Sequence, residues 1–141
     1  MSYTFDYFQR VNYVDTDKMG IMHNSNYLRF FEIGRNELMR NLGLSYKEIE
    51  DRGIMMPMVE QGCKYICPAY YDDEIIIRTT VKEMPKAKIR FDYALIRVEA
   101  GGEERLLSTG YNMLGFIDEN SRRPTRCPEW ILEKLRGKLA N

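Results

Sequence analysis

Residues 24–42 make a helix that needs cover on more than one side, and that need constrains everything the rest of the chain can build. Tyr27, Phe31, Gly34, Leu38 and Leu42 recur every three to four residues and form one apolar stripe. Leu28, Phe30, Ile33 and Met39 widen it beyond what a surface helix requires. Asn24, Ser25 and Asn26 all offer N-caps, and Gly43 offers a stop. Gly34 leaves room for the close approach of another backbone.

The remaining periodicity is that of strands. Tyr3, Phe5, Tyr7, Val11 and Tyr13 alternate with polar residues and predict a strand over 3–13, with those five on the apolar face. A short helix is expected over 45–51, with Ser45 as cap and Glu48 in capping-box register. Strands follow over 55–66, 74–83 and 87–95, and Gly101-Gly102 reads as the hairpin turn into a last strand over 104–117. A surface helix over 129–139 closes the chain. This order predicts an α+β fold, an antiparallel sheet packed on one long helix, as a single domain over residues 1–141.

A chain of this length buries roughly 68% of its unfolded surface, enough for a core without metals or disulfides. Twenty-one basic residues balance twenty-one acidic ones, so no global field draws it to nucleic acid or to an anionic membrane. No apolar run approaches the roughly 20 residues of a membrane span. The first six residues show no signal-peptide pattern, and the expected location is the cytoplasm. An odd count of three cysteines fits a reducing compartment. Cys63 and Cys67 on one strand would lie roughly 13 Å apart, at about 3.3 Å per residue, too far for a bridge. One histidine and no Cys-x-x-Cys pair argue against zinc, and neither metal nor cofactor is expected.

Chemistry concentrates just ahead of the long helix, where Asp15, Asp17, Gly20 and His23 fall together. The spacing imitates a calcium loop only at its start, because Met19 and Asn26 stand where oxygen ligands are required. Taken alone, the two aspartates are better explained as loop-shaping residues. A helix start carries unpaired N–H groups and partial positive charge, which suit a developing oxyanion. By position, the backbone N–H groups near His23, Asn24 and Ser25 are the candidate donors.

The segment from Tyr13 to Arg35 resembles the hot-dog-fold thioesterases of the 4-hydroxybenzoyl-CoA thioesterase type. The residues that carry the likeness are Asp15-Thr16-Asp17, Gly20, His23-Asn24, Tyr27, Phe30-Phe31-Glu32 and Gly34-Arg35. It extends less specifically through Tyr65, Pro68, Ala69 and Asp73. The resemblance implies a sheet wrapped around a central helix, homodimers or homotetramers joined through their sheets, and sites at the subunit interface. It implies hydrolysis of an acyl-CoA or acyl-carrier-protein thioester without a cofactor. Asp17 is then the catalytic carboxylate, as nucleophile or as general base, and Asn24 the favoured oxyanion position. His23 would contact substrate, orient Asn24 or fill space; Asp15 would organise the loop; Tyr27 would lie beside the site. The phosphates of coenzyme A call for cations, and Lys88 and Arg90, near Lys82 and Lys86 at the Pro85 turn, are the candidates, with Arg122 and Arg123 behind them. Met19, Met22, Met55, Met56 and Met58 fit an adaptable acyl pocket or simple core packing. Two alternatives stay open: hydration or dehydration of an acyl thioester by His23 with Asp17, and a non-catalytic acyl-thioester-binding module.

Overall fold

The computed structural model describes residues 2–139. Its main sheet has five strands in the order β1-β4-β5-β6-β3, every pair antiparallel: β1 (Tyr3–Arg10), β3 (Met58–Tyr65), β4 (Glu74–Val81), β5 (Lys88–Val98) and β6 (Glu104–Gly115). A two-stranded piece pairs β2 (Ile54–Met55) with β7 (Ile117–Asp118). Helix α1 (Ser25–Asn41) lies on the inner face of the main sheet, with α2 (Tyr46–Asp51) and α3 (Glu129–Leu139) beyond its C-terminal end.

The wide apolar stripe of α1 is buried as its spacing requires. Tyr27, Phe30, Phe31, Gly34, Leu38 and Met39 face a floor made by alternate residues of the central strands, among them Ile75, Ile77, Ile89, Phe91 and Leu95. Gly34 is where helix and sheet come closest: a Cβ there would stand 2.5 Å from Ile77 Cγ2 and from Thr79 Oγ1. Gly34→Ala is therefore expected to lower stability by about 1–3 kcal/mol, the range for overpacked cores, read as a drop in urea midpoint. A neutral result would show that α1 can lift off the sheet at no cost.

Arg35 is the one cation of α1 that turns inward. Its guanidinium donates to Asn112 Oδ1 at 2.6 Å, and the Tyr93 hydroxyl donates to the same oxygen. Burial pushes the Tyr93 phenol well above its usual range, so it remains a donor. Glu32, paired with Arg35 at 3.8 Å, is the second partner rather than the main one.

Four expectations need correction. The first strand stops at Arg10 because Val11 exchanges backbone hydrogen bonds with Asp72 and Asp73 and leads the chain out of the sheet. Tyr13, placed on the apolar face by alternation, consequently stands 78% exposed in a 3-10 turn over Tyr13–Asp15. The strand expected over 55–66 is two, separated at Pro57, which has no N–H to offer a ladder. The closing helix is docked rather than superficial: Ile131, Leu135 and Leu139 are buried, and the Arg52 guanidinium sits 4.5 Å above the Trp130 ring. The Ser45 cap, by contrast, is present, with its hydroxyl accepting from the Glu48 N–H at 3.1 Å.

Candidate active site

Between Asp15 and His23 the chain makes a tight hairpin. Asp17 N–H donates to the Ile21 carbonyl and His23 N–H to the Asp15 carbonyl, each at 2.9 Å, on either side of a Thr16–Met22 bridge. Gly20, at φ 76°, closes the tip and donates to the Asp17 carbonyl at 3.1 Å. Met22 N–H donates to the Ala69 carbonyl and Tyr71 N–H to the Gly20 carbonyl, so the hairpin is fastened to the 66–73 connection.

The two aspartates have different surroundings. Asp15 is 2% exposed; its carboxylate accepts from the Arg29 guanidinium and from the Asn12 N–H. Asp17 is exposed at the tip. Its Oδ1 accepts from the Met19 N–H at 2.8 Å and the Ile21 N–H at 3.3 Å, while Oδ2 makes no hydrogen bond among the described residues. One oxygen fixes the carboxylate and the other is presented outward.

At the helix start, three consecutive N–H groups have separate fates. His23 N–H is engaged by Asp15, and Ser25 N–H donates to His23 Nδ1 at 3.2 Å. Asn24 N–H has no acceptor among the described residues. Because Ser25 N–H is an obligate donor, Nδ1 is the accepting nitrogen and the neutral ring carries its proton on Nε2. The imidazole thus caps α1, while the Asn24 side chain, at the N-cap position, does not.

Tyr27 is buried beneath this start, its hydroxyl accepting from the Ala69 N–H at 3.3 Å. Tyr65, at the end of β3, meets it edge to face at 4.9 Å and donates from its hydroxyl to the Asn24 carbonyl at 3.4 Å. Burial raises both phenols, for Tyr27 against the lowering effect of the Ala69 N–H, so Tyr65 is a donor and not a base. Tyr65 was not among the site residues expected from the sequence; its signal was its place two residues after Cys63 in the strand alternation, three residues before Pro68.

Lys88 and Arg90 lie elsewhere. Arg97, which donates to the Pro68 carbonyl at 3.1 Å, marks the hairpin end of β5. Lys88 is nine residues further along, about 30 Å at strand rise. There it borders a groove of about 460 Å³ with Lys82, Arg90, Asp92 and Met113. Arg90 reaches Asp92 at 3.2 Å and covers the Tyr111 ring at 4.3 Å. Within one chain the structure brings Asp17, His23, Asn24 and Tyr27 together and leaves Lys88 and Arg90 at the opposite end of the sheet. Among the described residues no three His, Cys, Asp or Glu side chains could share a metal ion, and no helix is long and apolar enough to cross a membrane.

This architecture has known relatives. A putative esterase of Aquifex aeolicus is 33% identical over 93 residues, 66% of this chain and 73% of the relative. The putative acyl-CoA thioesterase YneP of Bacillus subtilis is 28% identical over 124 residues, 85% of this chain and 87% of its own length. The solved DHNA-CoA thioesterase of Staphylococcus aureus superposes with a TM-score of 0.82 at 26% identity, covering 95% of this chain and 91% of that one. The 4-hydroxybenzoyl CoA thioesterase of Pseudomonas sp. strain CBS-3 gives 0.82 at 25%, covering 94% and 99%. The fold is the hot-dog fold of those enzymes. The family model of the thioesterase-like superfamily matches residues 11–135, and the chain belongs to that superfamily.

Proposed function

We propose that this chain hydrolyses an acyl-CoA thioester to the free acid and coenzyme A, with Asp17 as the reactive carboxylate and the Asn24 N–H as oxyanion donor. The observation that carries the reading is the pairing of two unengaged groups, Asp17 Oδ2 and Asn24 N–H, across one short hairpin. Asp17 lies two strand residues, about 7 Å, from the level of the Asp15–His23 hydrogen bond.

Asp17 either attacks the carbonyl carbon, giving an anhydride that water opens, or takes a proton from the attacking water. On both routes negative charge grows on the carbonyl oxygen, and a preorganised N–H at a helix start stabilises it. Collapse of the intermediate breaks the C–S bond and releases the thiolate of coenzyme A. His23 caps the helix and fixes its neighbours, which leaves its Nε2–H available to substrate. Tyr27 and Tyr65 form the wall beside the Asn24 peptide. Release of free thiol from a panel of acyl-CoAs tests the activity; tight binding without thiol release would overturn it, and conversion of an enoyl-CoA without thiol release would favour hydration instead.

A second copy of the chain completes the substrate site in this reading. β3 is an edge strand of eight residues, with Met58 at the Lys88 end of the sheet and Tyr65 at the Asp17 end. Antiparallel pairing of two such edges sets Lys88 and Arg90 of the partner subunit toward this chain's Tyr65 end, where they can meet the coenzyme A phosphates. Three cysteines without a disulfide suit a cytoplasmic enzyme. The joint change Lys88→Ala and Arg90→Ala is expected to raise KM for an acyl-CoA about tenfold, the effect of losing about 1.4 kcal/mol of uniform binding. Turnover of the matching acyl-pantetheine thioester should stay unchanged; equal losses on both substrates would remove these cations from the site.

A further inference from the structure

We infer that Arg29 and Asn26 are positioning residues of this reaction, which act through Asp15 to aim the Asn24 N–H at the thioester oxygen. The inference rests on the assignment of Asp17 and Asn24 above. Arg29 and Asn26 on the first turns of α1 close a ring with Asp15 of the preceding 3-10 turn, through its carboxylate and its backbone carbonyl. Arg29 donates to the buried Asp15 carboxylate, and its Nε donates to Asn26 Oδ1 at 3.1 Å. Asn26 Nδ2 completes the ring by donating to the Asp15 carbonyl at 2.8 Å.

That carbonyl also receives the His23 N–H, so the ring holds the peptide that precedes Asn24. The next peptide is held by the backbone of residue 26, whose N–H donates to the His23 carbonyl at 2.9 Å, and the side-chain ring fixes where that N–H sits. In a trans peptide the C=O and N–H point in opposite directions. With the His23 carbonyl turned toward Asn26 along the helix, the N–H of the same peptide unit, that of Asn24, is turned out of the helix start. None of the hydrogen bonds of Arg29 or Asn26 goes to Asp17 or to the Asn24 N–H. Their contribution is therefore to direction.

The test uses Asn26→Ala, Arg29→Gln and Arg29→Lys beside Asp17→Asn, each assayed for thiol release and for affinity toward a non-hydrolysable acyl-CoA thioether. Asn26→Ala is expected to lower kcat about tenfold to a hundredfold, as small misplacements of reacting groups do, with KM and thioether affinity within about twofold. Arg29→Gln should follow it, and Arg29→Lys should recover part of the loss by keeping a cation on Asp15. An unchanged kcat in Asn26→Ala overturns the inference, as does a fall in thioether affinity equal to the fall in kcat. If Arg29→Gln does not fold, Asn26→Ala decides alone. Full activity of Asp17→Asn would instead overturn the site assignment itself, whatever the Asn26 and Arg29 variants do.

Discussion

Asp17→Asn is expected to reduce acyl-CoA hydrolysis by about 10²–10⁴-fold while leaving the melting temperature where it is. The carboxamide oxygen can still accept from the Met19 and Ile21 N–H groups, so the hairpin tip keeps its shape. The other position becomes an NH₂ group, which neither attacks a carbonyl nor takes a proton. Asp17 is exposed and pairs with no cation among the described residues, so no buried charge is left stranded by the change. Thiol release under saturating substrate measures the loss. Activity within about threefold of the native enzyme would assign the chemistry to another group, since a catalytic acid or base contributes at least about a hundredfold.

Phe31→Ala carries the largest expected cost to the fold, about 3–5 kcal/mol. Phe31 is fully buried, and its ring stacks on Tyr93 with centroids 4.6 Å apart and planes 8° from parallel. Its far edge fills the space over Gly110, where any Cβ would collide with the ring and with the Gly62 carbonyl. Truncation removes that contact and leaves a cavity between α1 and three strands that cannot all close in. Urea unfolding should show the loss as a lower midpoint with an unchanged slope. A cost below about 1 kcal/mol would mean that this part of the core repacks freely.

The helix was legible because its stripe was both regular and too wide for a surface, and Gly34 within it pointed to a close approach that the structure contains. The hairpin was not foreseen; its segment reads as a loop, and only a resemblance to a family gives it a catalytic reading. Taken alone, two aspartates and a histidine before a helix favour loop shaping; the structure then gives them different surroundings, Asp15 buried against Arg29 and Asp17 exposed at the tip. The His23 cap was not legible, since cap preferences favour Asn24, Ser25 or Asn26, and nothing local says that a ring nitrogen will displace all three. Tyr13 was misplaced because alternation continued past the residue at which the chain leaves its partner strand. Clustering and the resemblance single out Lys88 and Arg90 as phosphate contacts, but sequence reveals which residues share a strand, not which end of the sheet each one occupies. Register supplied that answer.

The most direct test is a crystal structure of Asp17→Asn with an unhydrolysed acyl-CoA. The expected thioester oxygen lies about 2.7–3.1 Å from the Asn24 nitrogen, the carbonyl carbon beside the side chain of residue 17, and the phosphates near Lys88 and Arg90 of the partner subunit. A thioester bound away from Asn24, or with its oxygen held by a different donor, would contradict the proposed site.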